Sequence, residues 1–323
     1  TSSRNPAYVD QHSIINDYKG YEKFYFIGGS SSWANIRGLL TNNLSGLQLY
    51  EEENFKAKSV DVWGISDKRL FLEANNILKQ QQKPFFAVIQ TADNHRPYTI
   101  PEEDRSEFPL DEFPKDTLKK YGFSSNEELN AFRYTDFSFK KFIEAAQQEP
   151  YFKNTIFVFV GDHGIKGNTG NTFPKVWDSE GLSAHHVPLL FYSPSLLQPA
   201  RIHNTCSQLD VLPTVAGLSK IGFTNTTLGK NLLDTLPTDV RYPNRAFLFE
   251  PNMKQVGMIT DDYLYLRSLI SGAEVFQSAK DDIQLPKNNS LNADKEQLKK
   301  VSQAYYETAK YMLYHNKKLA IQQ

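Results

Sequence analysis

The most informative segment of the chain is Thr155-Ile156-Phe157-Val158-Phe159-Val160-Gly161-Asp162-His163-Gly164. It begins as a continuous apolar run of β-branched and aromatic residues and then changes abruptly to glycine and two polar residues. An unbroken apolar run of this length is typical of a strand that is buried on both faces of a parallel sheet. We therefore predict a buried strand over 155–160, with Asp162 and His163 just beyond its carboxyl end.

Asp162 and His163 together offer a carboxylate oxygen and an imidazole nitrogen, a pair of donors that suits Zn²⁺ or Mn²⁺. Ligands of open α/β sheets bind just beyond the carboxyl ends of the strands, where these two residues fall. The glycines on either side would let the backbone approach an ion closely. The alternative is a strand that ends in an ordinary polar turn, because four-residue motifs often arise by chance.

The composition narrows the class of protein. A length of 323 residues suffices for one large α/β domain or for two domains. The formal net charge of −1 gives no indication of a nucleic-acid binder. No stretch approaches the roughly 18 consecutive apolar residues of a transmembrane helix. Cys206 is the single cysteine, so the chain has neither an internal disulfide nor a cysteine metal site.

Predicted strands alternate with predicted helices along most of the chain. Besides the run at 155–160, apolar runs predict buried strands at 23–27, 85–89 and 189–192. An amphipathic pattern predicts a helix over 66–82, and the capping residues Ser125 and Ser207 predict two more. This alternation predicts a doubly wound, mainly parallel sheet flanked by helices.

The pattern changes near Arg241–Asn244. Short β-like runs with close connections follow over 246–277, and a helical pattern with Leu298, Val301 and Ala304 on its apolar face follows over 291–314. We therefore predict a catalytic-type α/β domain over 1–244 and a small C-terminal lobe of antiparallel sheet and helix over 245–323.

Other polar residues are predicted to meet Asp162 and His163 at the sheet edge. His95 follows the strand at 85–89, and His185 would reach the edge through the loop before the strand at 189–192. Trp33 and Arg37 follow the first strand, and a planar guanidinium suits bidentate binding of phosphate or sulfate. The alternatives are a loop histidine that is bonded to backbone and an arginine that is solvated or ion-paired.

Several segments together resemble a known family. Gly161-Asp162-His163-Gly164 after an apolar strand resembles the metal-binding signature of the alkaline phosphatase and sulfatase superfamily. Four further segments are similar to the lipoteichoic acid synthase branch or to the superfamily at large: Asn35-Ile36-Arg37-Gly38, Asn94-His95-Arg96-Pro97-Tyr98, His185 to Pro194, and Ser207 to Thr214 with Leu228 to Leu232. Five segments in the same order make a chance similarity improbable.

The resemblance implies a metal-dependent transferase or hydrolase with an alkaline phosphatase-like fold. Asp162 and His163 would bind one divalent metal, Mn²⁺ or alternatively Zn²⁺. His95, Arg37, His185 and Trp33 would bind the substrate. The implied reaction is transfer of phosphoglycerol or phosphoethanolamine from a phospholipid through a phosphothreonine intermediate, so the partners would be phospholipid or glycan headgroups.

The front of the chain departs from the family pattern. Members begin with a strand that carries an acidic metal ligand, followed by a threonine nucleophile, and no such strand is visible before residue 20. Thr1 is the candidate nucleophile, and we expect that the front strand is missing. Members are also anchored by N-terminal transmembrane helices that this chain does not contain, which implies a catalytic domain at the cell membrane on its periplasmic or extracellular side.

Two other functions stay open. A sulfatase in the strict sense needs a Cys/Ser-x-Pro-x-Arg motif, which does not occur in this chain, although the missing front segment is where it would lie. The third possibility is a catalytically inactive, lipid-binding regulatory domain of the same fold.

Overall fold

A computed structural model of the chain describes residues 10–167, 169, 172–235, 242–280, 285 and 289–317. Their contacts divide the chain into two compact units. The first unit comprises the chain up to Val158 together with Phe191–Gln198, and the second comprises Phe159–Leu190 together with the chain from Pro199 onward.

A parallel three-stranded sheet lies at the centre of the first unit. Its strands are β1 (Glu22–Ile27), β2 (Leu47–Tyr50) and β3 (Phe85–Gln90), in the order β2-β1-β3. The predicted strands β1 and β3 and their parallel arrangement are confirmed. Strand β2 was not predicted, because Gln48 interrupts its short apolar run.

Helices pack against this sheet. The first unit contains α1 (Ile36–Asn43), α2 (Asp67–Leu78), α3 (Lys115–Lys120) and α4 (Asn126–Ala146). Helix α2 buries Leu70 and Ala74 against Phe24 and Phe26 of β1, as its apolar stripe predicts. Helix α4 begins where Ser125 accepts a hydrogen bond from the backbone N–H of Glu128, and it lies beside α2.

The acidic, proline-containing segment over 101–123 is anchored to the first unit by buried contacts of Asp104 and Phe108. The ammonium of Lys68 in α2 lies 2.6 Å from Asp104 Oδ1, and the hydroxyl of Tyr134 in α4 donates to Asp104 Oδ2. Both charged side chains are almost fully buried, at 8% and 2% exposed. Phe108 is buried next to Tyr134. The two carboxylate oxygens of Asp104 thus bind Lys68 and Tyr134, and these contacts attach the segment to both helices.

Strands β4 (Phe157–Val160) and β5 (Leu189–Tyr192) form a two-stranded sheet and confirm strands within 155–160 and at 189–192. The predicted burial is wrong at Val160 and Leu190, which are 43% and 54% exposed. Helix α5 (Lys175–Ser179) lies in the segment between them, and α6 (Val211–Leu218) follows β5. The cap predicted at Ser207 forms a capping box with Asp210 at the start of the short turn that leads into α6.

The second unit contains an antiparallel sheet in the order β6-β7-β8-β9. Its strands are β6 (Arg245–Glu250), β7 (Gln255–Thr260), β8 (Tyr263–Ser268) and β9 (Glu274–Ser278), and helix α7 (Asn289–His315) follows. Leu298 of α7 packs on one face with Met258 and Tyr265. Ala304, predicted on the apolar face of this helix, is exposed.

The opposite face of this sheet is covered by the segment that follows β4. Val176 and Leu182 pack there against Leu248 and Leu264. The sheet and helix predicted for the C-terminal part are therefore present, while the boundary at residue 244 stays a prediction. Among the described residues, no helix is both long enough and apolar enough to cross a membrane.

Candidate functional site

The turn Gly161–Gly164 directly follows β4 and presents its two polar side chains to solvent. Asp162 is 91% exposed and His163 is 69% exposed. The Nδ1 atom of His163 lies 2.8 Å from the carbonyl oxygen of Gly164. A carbonyl only accepts, so we assign the imidazole proton to Nδ1, which leaves the lone pair on Nε2. Nε2 lies 3.8 Å from Asp162 Oδ2.

These two donors fit one divalent ion. Metal bonds to imidazole nitrogen and carboxylate oxygen are about 2.0–2.2 Å long, so an ion can reach both atoms across 3.8 Å. Within the described parts of the chain, no group of three or more His, Cys, Asp or Glu residues is arranged to hold a metal. Asp162 and His163 therefore suit part of a coordination sphere.

Hydrogen bonds to the backbone of this turn hold it in place from two segments. The Gln208 side-chain amide donates to the carbonyl oxygens of Gly161 and Asp162, at 2.5 and 2.8 Å. The N–H of Gly164 donates to the carbonyl oxygen of Ala184 at 2.9 Å. A Cβ atom on Gly164 would lie 2.1 Å from the carbonyl oxygen of Ser183, so only glycine fits there. Sequence reasoning did not identify Gln208 as a support of the turn, because its contacts are 46 and 47 residues away.

The adjacent histidines before β5 have different surroundings. His186 contacts the rings of Phe173 and Trp177, with centroids 5.4 and 5.1 Å away, and burial lowers its pKa. His185 borders a depression with Glu180 and Glu250. Both histidines are exposed, but only His186 contacts aromatic rings, and the substrate role of His185 stays a prediction.

In the first unit, Arg37 forms an ion pair with buried Glu51 at the end of β2. Glu51 also accepts hydrogen bonds from the backbone N–H and the hydroxyl of Ser31, at 2.7 and 2.6 Å. The Arg37 side chain is still 53% exposed, and a guanidinium has further N–H donors for a ligand. Arg37 is therefore ion-paired, as the alternative prediction has it, but part of its guanidinium group stays accessible to a ligand. Glu51 was not predicted to take part.

Three rings lie together near the ends of β1 and β3. The Trp63 ring lies 5.8 Å from Trp33 and 4.2 Å from His95, measured between centroids. The Trp63 indole N–H donates to the carbonyl oxygen of Arg96 at 2.6 Å. Trp33 and His95 are exposed. The structure thus brings together two of the predicted substrate residues, and it adds Trp63, which sequence reasoning missed.

The loop that carries His95 is locked to the start of α2 by a buried pair of carboxyl groups. Asp67 accepts the backbone N–H of Ala92 at 2.8 Å, and Asp93 Oδ2 accepts the backbone N–H of Asp67 at 2.7 Å. The hydroxyl of Thr135 lies 3.2 Å from Asp67 and 3.0 Å from the side-chain oxygen of Asn94. Burial raises the pKa of Asp67 to about 6, and burial followed by repulsion from Asp67 raises the pKa of Asp93.

This carboxyl pair predicts a pH-dependent stability. In the folded protein the pKa of Asp67 is about 6, above its usual value of 3.8. The contribution of protonated Asp67 to the free energy of unfolding is therefore complete below pH 3.8 and is lost as the pH rises through about 6. In Asp93→Asn the amide oxygen can still accept the N–H of Asp67, while the repulsion is removed. We expect this variant to gain on the order of 2 kcal/mol over the wild type at pH 7 and much less at pH 4.5. Urea unfolding at the two pH values measures the difference, and an equal effect at both would contradict it.

The two units hold different members of the predicted site. Arg37, Trp33 and His95 belong to the first unit, and Asp162, His163 and His185 belong to the second. The predicted meeting of these two groups at one anion site stays a prediction. Thr1 lies outside the described residues.

The Sulfatase family model matches residues 11–221, well over half of the chain. The chain belongs to the sulfatase family. This membership confirms the resemblance seen in Gly161–Gly164 and the segments around it.

The sulfatase-family chain has relatives of two kinds among curated proteins. It is 26% identical over 247 residues to the lipoteichoic acid synthase-like protein YvgJ of Bacillus subtilis (strain 168), covering 72% of this chain and 36% of that protein. It is 28% identical over 193 residues to an endo-4-O-sulfatase of Bacteroides thetaiotaomicron, covering 55% of this chain and 35% of that protein. The chain thus spans about a third of the length of these relatives.

Among solved structures, the lipoteichoic acid synthase LtaP from Listeria monocytogenes has a similar fold. The TM-score is 0.72 at 18% sequence identity, and the match covers 99% of this chain and 78% of that one. A protein of the alkaline phosphatase superfamily from Vibrio parahaemolyticus matches with a TM-score of 0.68 at 22% identity, over 95% of this chain and 71% of that one. These similarities confirm the predicted alkaline phosphatase-like fold class.

Proposed function

We propose that this sulfatase-family chain is the catalytic part of a metal-dependent phosphotransferase. The enzyme would transfer phosphoglycerol or phosphoethanolamine from a phospholipid at the extracytoplasmic face of the cell membrane. The observation that carries the proposal is the exposed pair of donors on Asp162 and His163, 3.8 Å apart on a turn that Gln208 and Gly164 hold in place. The curated lipoteichoic acid synthase relatives support a role in synthesis rather than hydrolysis, and the phospholipid donor is what the family resemblance implies.

The chain's own residues have separate roles in this proposal. Asp162 and His163 would hold Mn²⁺, or alternatively Zn²⁺, which when bound supplies Lewis acidity and favours a deprotonated nucleophile. Arg37 and His95 would donate hydrogen bonds to phosphate oxygens and balance their negative charge. A threonine oxygen, with Thr1 as the candidate, would bond to phosphorus as the bond to the lipid oxygen breaks, and an acceptor hydroxyl or water would then release the phosphoryl group.

The direct test is release of diacylglycerol from vesicles by the full-length protein. Vesicles of phosphatidylglycerol and of phosphatidylethanolamine are each incubated with enzyme in the presence of Mn²⁺, Zn²⁺ or a chelator. We expect metal-dependent release of diacylglycerol from one of the two lipids. Absence of release from both, in protein that binds the metal, would refute the proposal.

A second candidate is hydrolysis of a sulfate ester on a glycan, which the endo-4-O-sulfatase relative favours. A 4-O-sulfated disaccharide tested in parallel distinguishes the two, because sulfate would be released without any lipid. Phosphoryl transfer is the preferred proposal because the lipoteichoic acid synthase-like relative matches 72% of this chain, compared with 55% for the endo-4-O-sulfatase.

Arg37→Ala should lower both turnover and stability. Losing a hydrogen bond that strengthens in the transition state lowers the rate by about two to three decades. Leaving buried Glu51 without its cation costs about 1–3 kcal/mol, so the fold is affected as well.

The double variant Arg37→Ala/Glu51→Gln separates these two effects. Its neutral amide oxygen can still accept the hydrogen bonds from Ser31, so we expect the urea midpoint to return towards that of the wild type while turnover stays low. Recovery of turnover together with stability would show that Arg37 acts only through Glu51.

A further inference from the structure

The hydroxyl of Thr135 in α4 lies between two side-chain oxygens. Its Oγ1 atom is 3.2 Å from Asp67 Oδ2 and 3.0 Å from Asn94 Oδ1. A threonine hydroxyl has one proton, so it can donate to only one of these oxygens at a time. Three oxygens in a row, joined by two hydrogen bonds, therefore need a second proton from one of the outer groups.

A protonated Asp67 supplies that proton. Its O–H donates to Thr135 Oγ1, and the Thr135 hydroxyl then donates to Asn94 Oδ1. Asp67 is suited to carry a proton because it is 1% exposed and lies against the carboxyl group of Asp93, whose Oδ2 accepts the Asp67 backbone N–H at 2.7 Å. A buried carboxyl group beside another carboxyl group is more stable in its neutral form.

Charged and titratable groups come near Asp67 and Asp93 from each neighbouring element: Asp61 before α2, Lys68 in α2, His95 after β3, Asp104 in the segment over 101–123, and Tyr134 in α4. The ammonium of Lys68 is paired with Asp104 at 2.6 Å, and the hydroxyl of Tyr134 donates to the same carboxylate. The charge of Asp61 raises the pKa of Asp67 further, after burial. These surroundings favour a neutral Asp67.

Loss of the Asp67 proton reverses the hydrogen bonds. Thr135 then donates to the Asp67 carboxylate, and a lone pair of its oxygen faces Asn94 Oδ1 at 3.0 Å. Two acceptors at this distance repel each other. A half-turn of the Asn94 amide exchanges its oxygen for its nitrogen, so that Nδ2 donates to Thr135 instead.

We propose that Asp67 is a positioning residue whose proton determines which end of the Asn94 amide faces away from Thr135. Asn94 is exposed and directly precedes His95. With Asp67 protonated, the amide NH2 group faces outward as a donor; with Asp67 ionised, the carbonyl oxygen faces outward as an acceptor. For the proposed function, on which this consequence rests, the first form can donate to a phosphate oxygen and the second repels it.

Nuclear magnetic resonance of the full chain, without metal and with 15N-labelled asparagine, follows the side-chain amide of Asn94 between pH 4.5 and 8. Asn94→Ala removes one pair of amide signals and thereby assigns them. We expect their chemical shifts to change with one midpoint near the pKa of Asp67, about 6. Thr135→Val, which keeps the shape but lacks the hydroxyl, should abolish the change, and Thr135→Ser should retain it.

Two carboxyl variants assign the proton. The amide of Asp67→Asn imitates the protonated acid, because its NH2 group donates to Thr135 and its oxygen still accepts the backbone N–H of Ala92. The Asn94 shifts should therefore keep their low-pH values up to pH 8. In Asp93→Asn the midpoint should move to lower pH, because the repulsion between the two carboxyl groups is removed.

Two controls come from the same unit. The amide of Asn130 in α4 has both ends in use, since its oxygen accepts the backbone N–H of Asp111 at 2.9 Å and its nitrogen donates to the carbonyl oxygen of Asp111 at 2.8 Å. Its signals should not change over this pH range. Thr155→Val removes a hydroxyl that donates to the carbonyl oxygen of Tyr151 at 2.7 Å and should leave the Asn94 titration unchanged.

Three results would overturn the inference. They are wild-type Asn94 signals that do not change between pH 4.5 and 8, a change that persists in Thr135→Val, and a change that persists in Asp67→Asn, which would assign it to Asp93 or His95. The measurement requires no turnover. The expected titration in a protein that releases no diacylglycerol would keep this inference and refute the proposed phosphoryl transfer.

Discussion

Asp162→Asn and His163→Ala will each lower the transfer of a phospholipid headgroup by roughly a thousandfold or more. Either change removes a donor to a metal that contributes several kcal/mol to stabilisation of the transition state. The free energy of unfolding should change little, because the two side chains are 91% and 69% exposed and their removal leaves no cavity in the interior.

Two measurements check this expectation. Elemental analysis of the purified variants gives the bound metal, and thermal unfolding gives the stability. Asp116→Asn, an exposed carboxylate in the first turn of α3, is the control and should retain both metal and turnover. A variant that keeps full metal content and full turnover would remove Asp162 and His163 from the site.

Asp104→Ala will lower the free energy of unfolding of the first unit by about 3–5 kcal/mol. The reason is that the ammonium of Lys68, which is 8% exposed, would lose its buried carboxylate at 2.6 Å and keep only the half-exposed Glu107, 3.4 Å away. The double variant Lys68→Met/Asp104→Leu should recover most of that loss, since it leaves no buried charge and keeps apolar volume.

A second ion pair, formed by the residues next to Lys68 and Asp104, serves as a matched control. Arg69 and Glu103 form an ion pair at 2.8 Å with side chains that are 44% and 62% exposed, and Arg69→Ala should cost at most about 1 kcal/mol. Urea unfolding is followed by tryptophan fluorescence in a Trp177→Phe background. Trp33 and Trp63, which remain, both lie in the first unit and therefore report its unfolding. Equal losses for Arg69→Ala and Asp104→Ala would contradict a special role of burial.

The elements that could be predicted from the sequence are those with a local pattern. The apolar runs of β1, β3, β4 and β5 and the amphipathic stripe of α2 appear where neighbouring residues predict them. Such patterns reflect which side of a segment must be buried, and this information lies within a few residues. Strand β2 lacks such a pattern, because Gln48 interrupts its short apolar run.

What could not be predicted depends on partners far along the chain. The burial of Asp104 in an acidic segment was missed, because it depends on contacts with Lys68 and Tyr134, 36 and 30 residues away. Glu51 and Trp63 were missed for the same reason, because their roles follow from Ser31 and Arg96, 20 and 33 residues away. The donor pair on Asp162 and His163 was recognisable because the two residues are adjacent to each other and follow a continuous apolar run.

The antiparallel sheet β6–β9 is covered on both faces, and this affects truncated variants and chimeras made with related proteins. The segment that contains Val176 and Leu182 ends at Ala184, whose carbonyl oxygen accepts the hydrogen bond from Gly164. Val176 and Leu182 pack against Leu248 and Leu264 of the sheet. A protein shortened before β6 would therefore lose the layer on which this segment rests. The strands after residue 244 contribute none of the candidate donors, yet a graft of the Gly161–Gly164 turn into another protein has to bring them along.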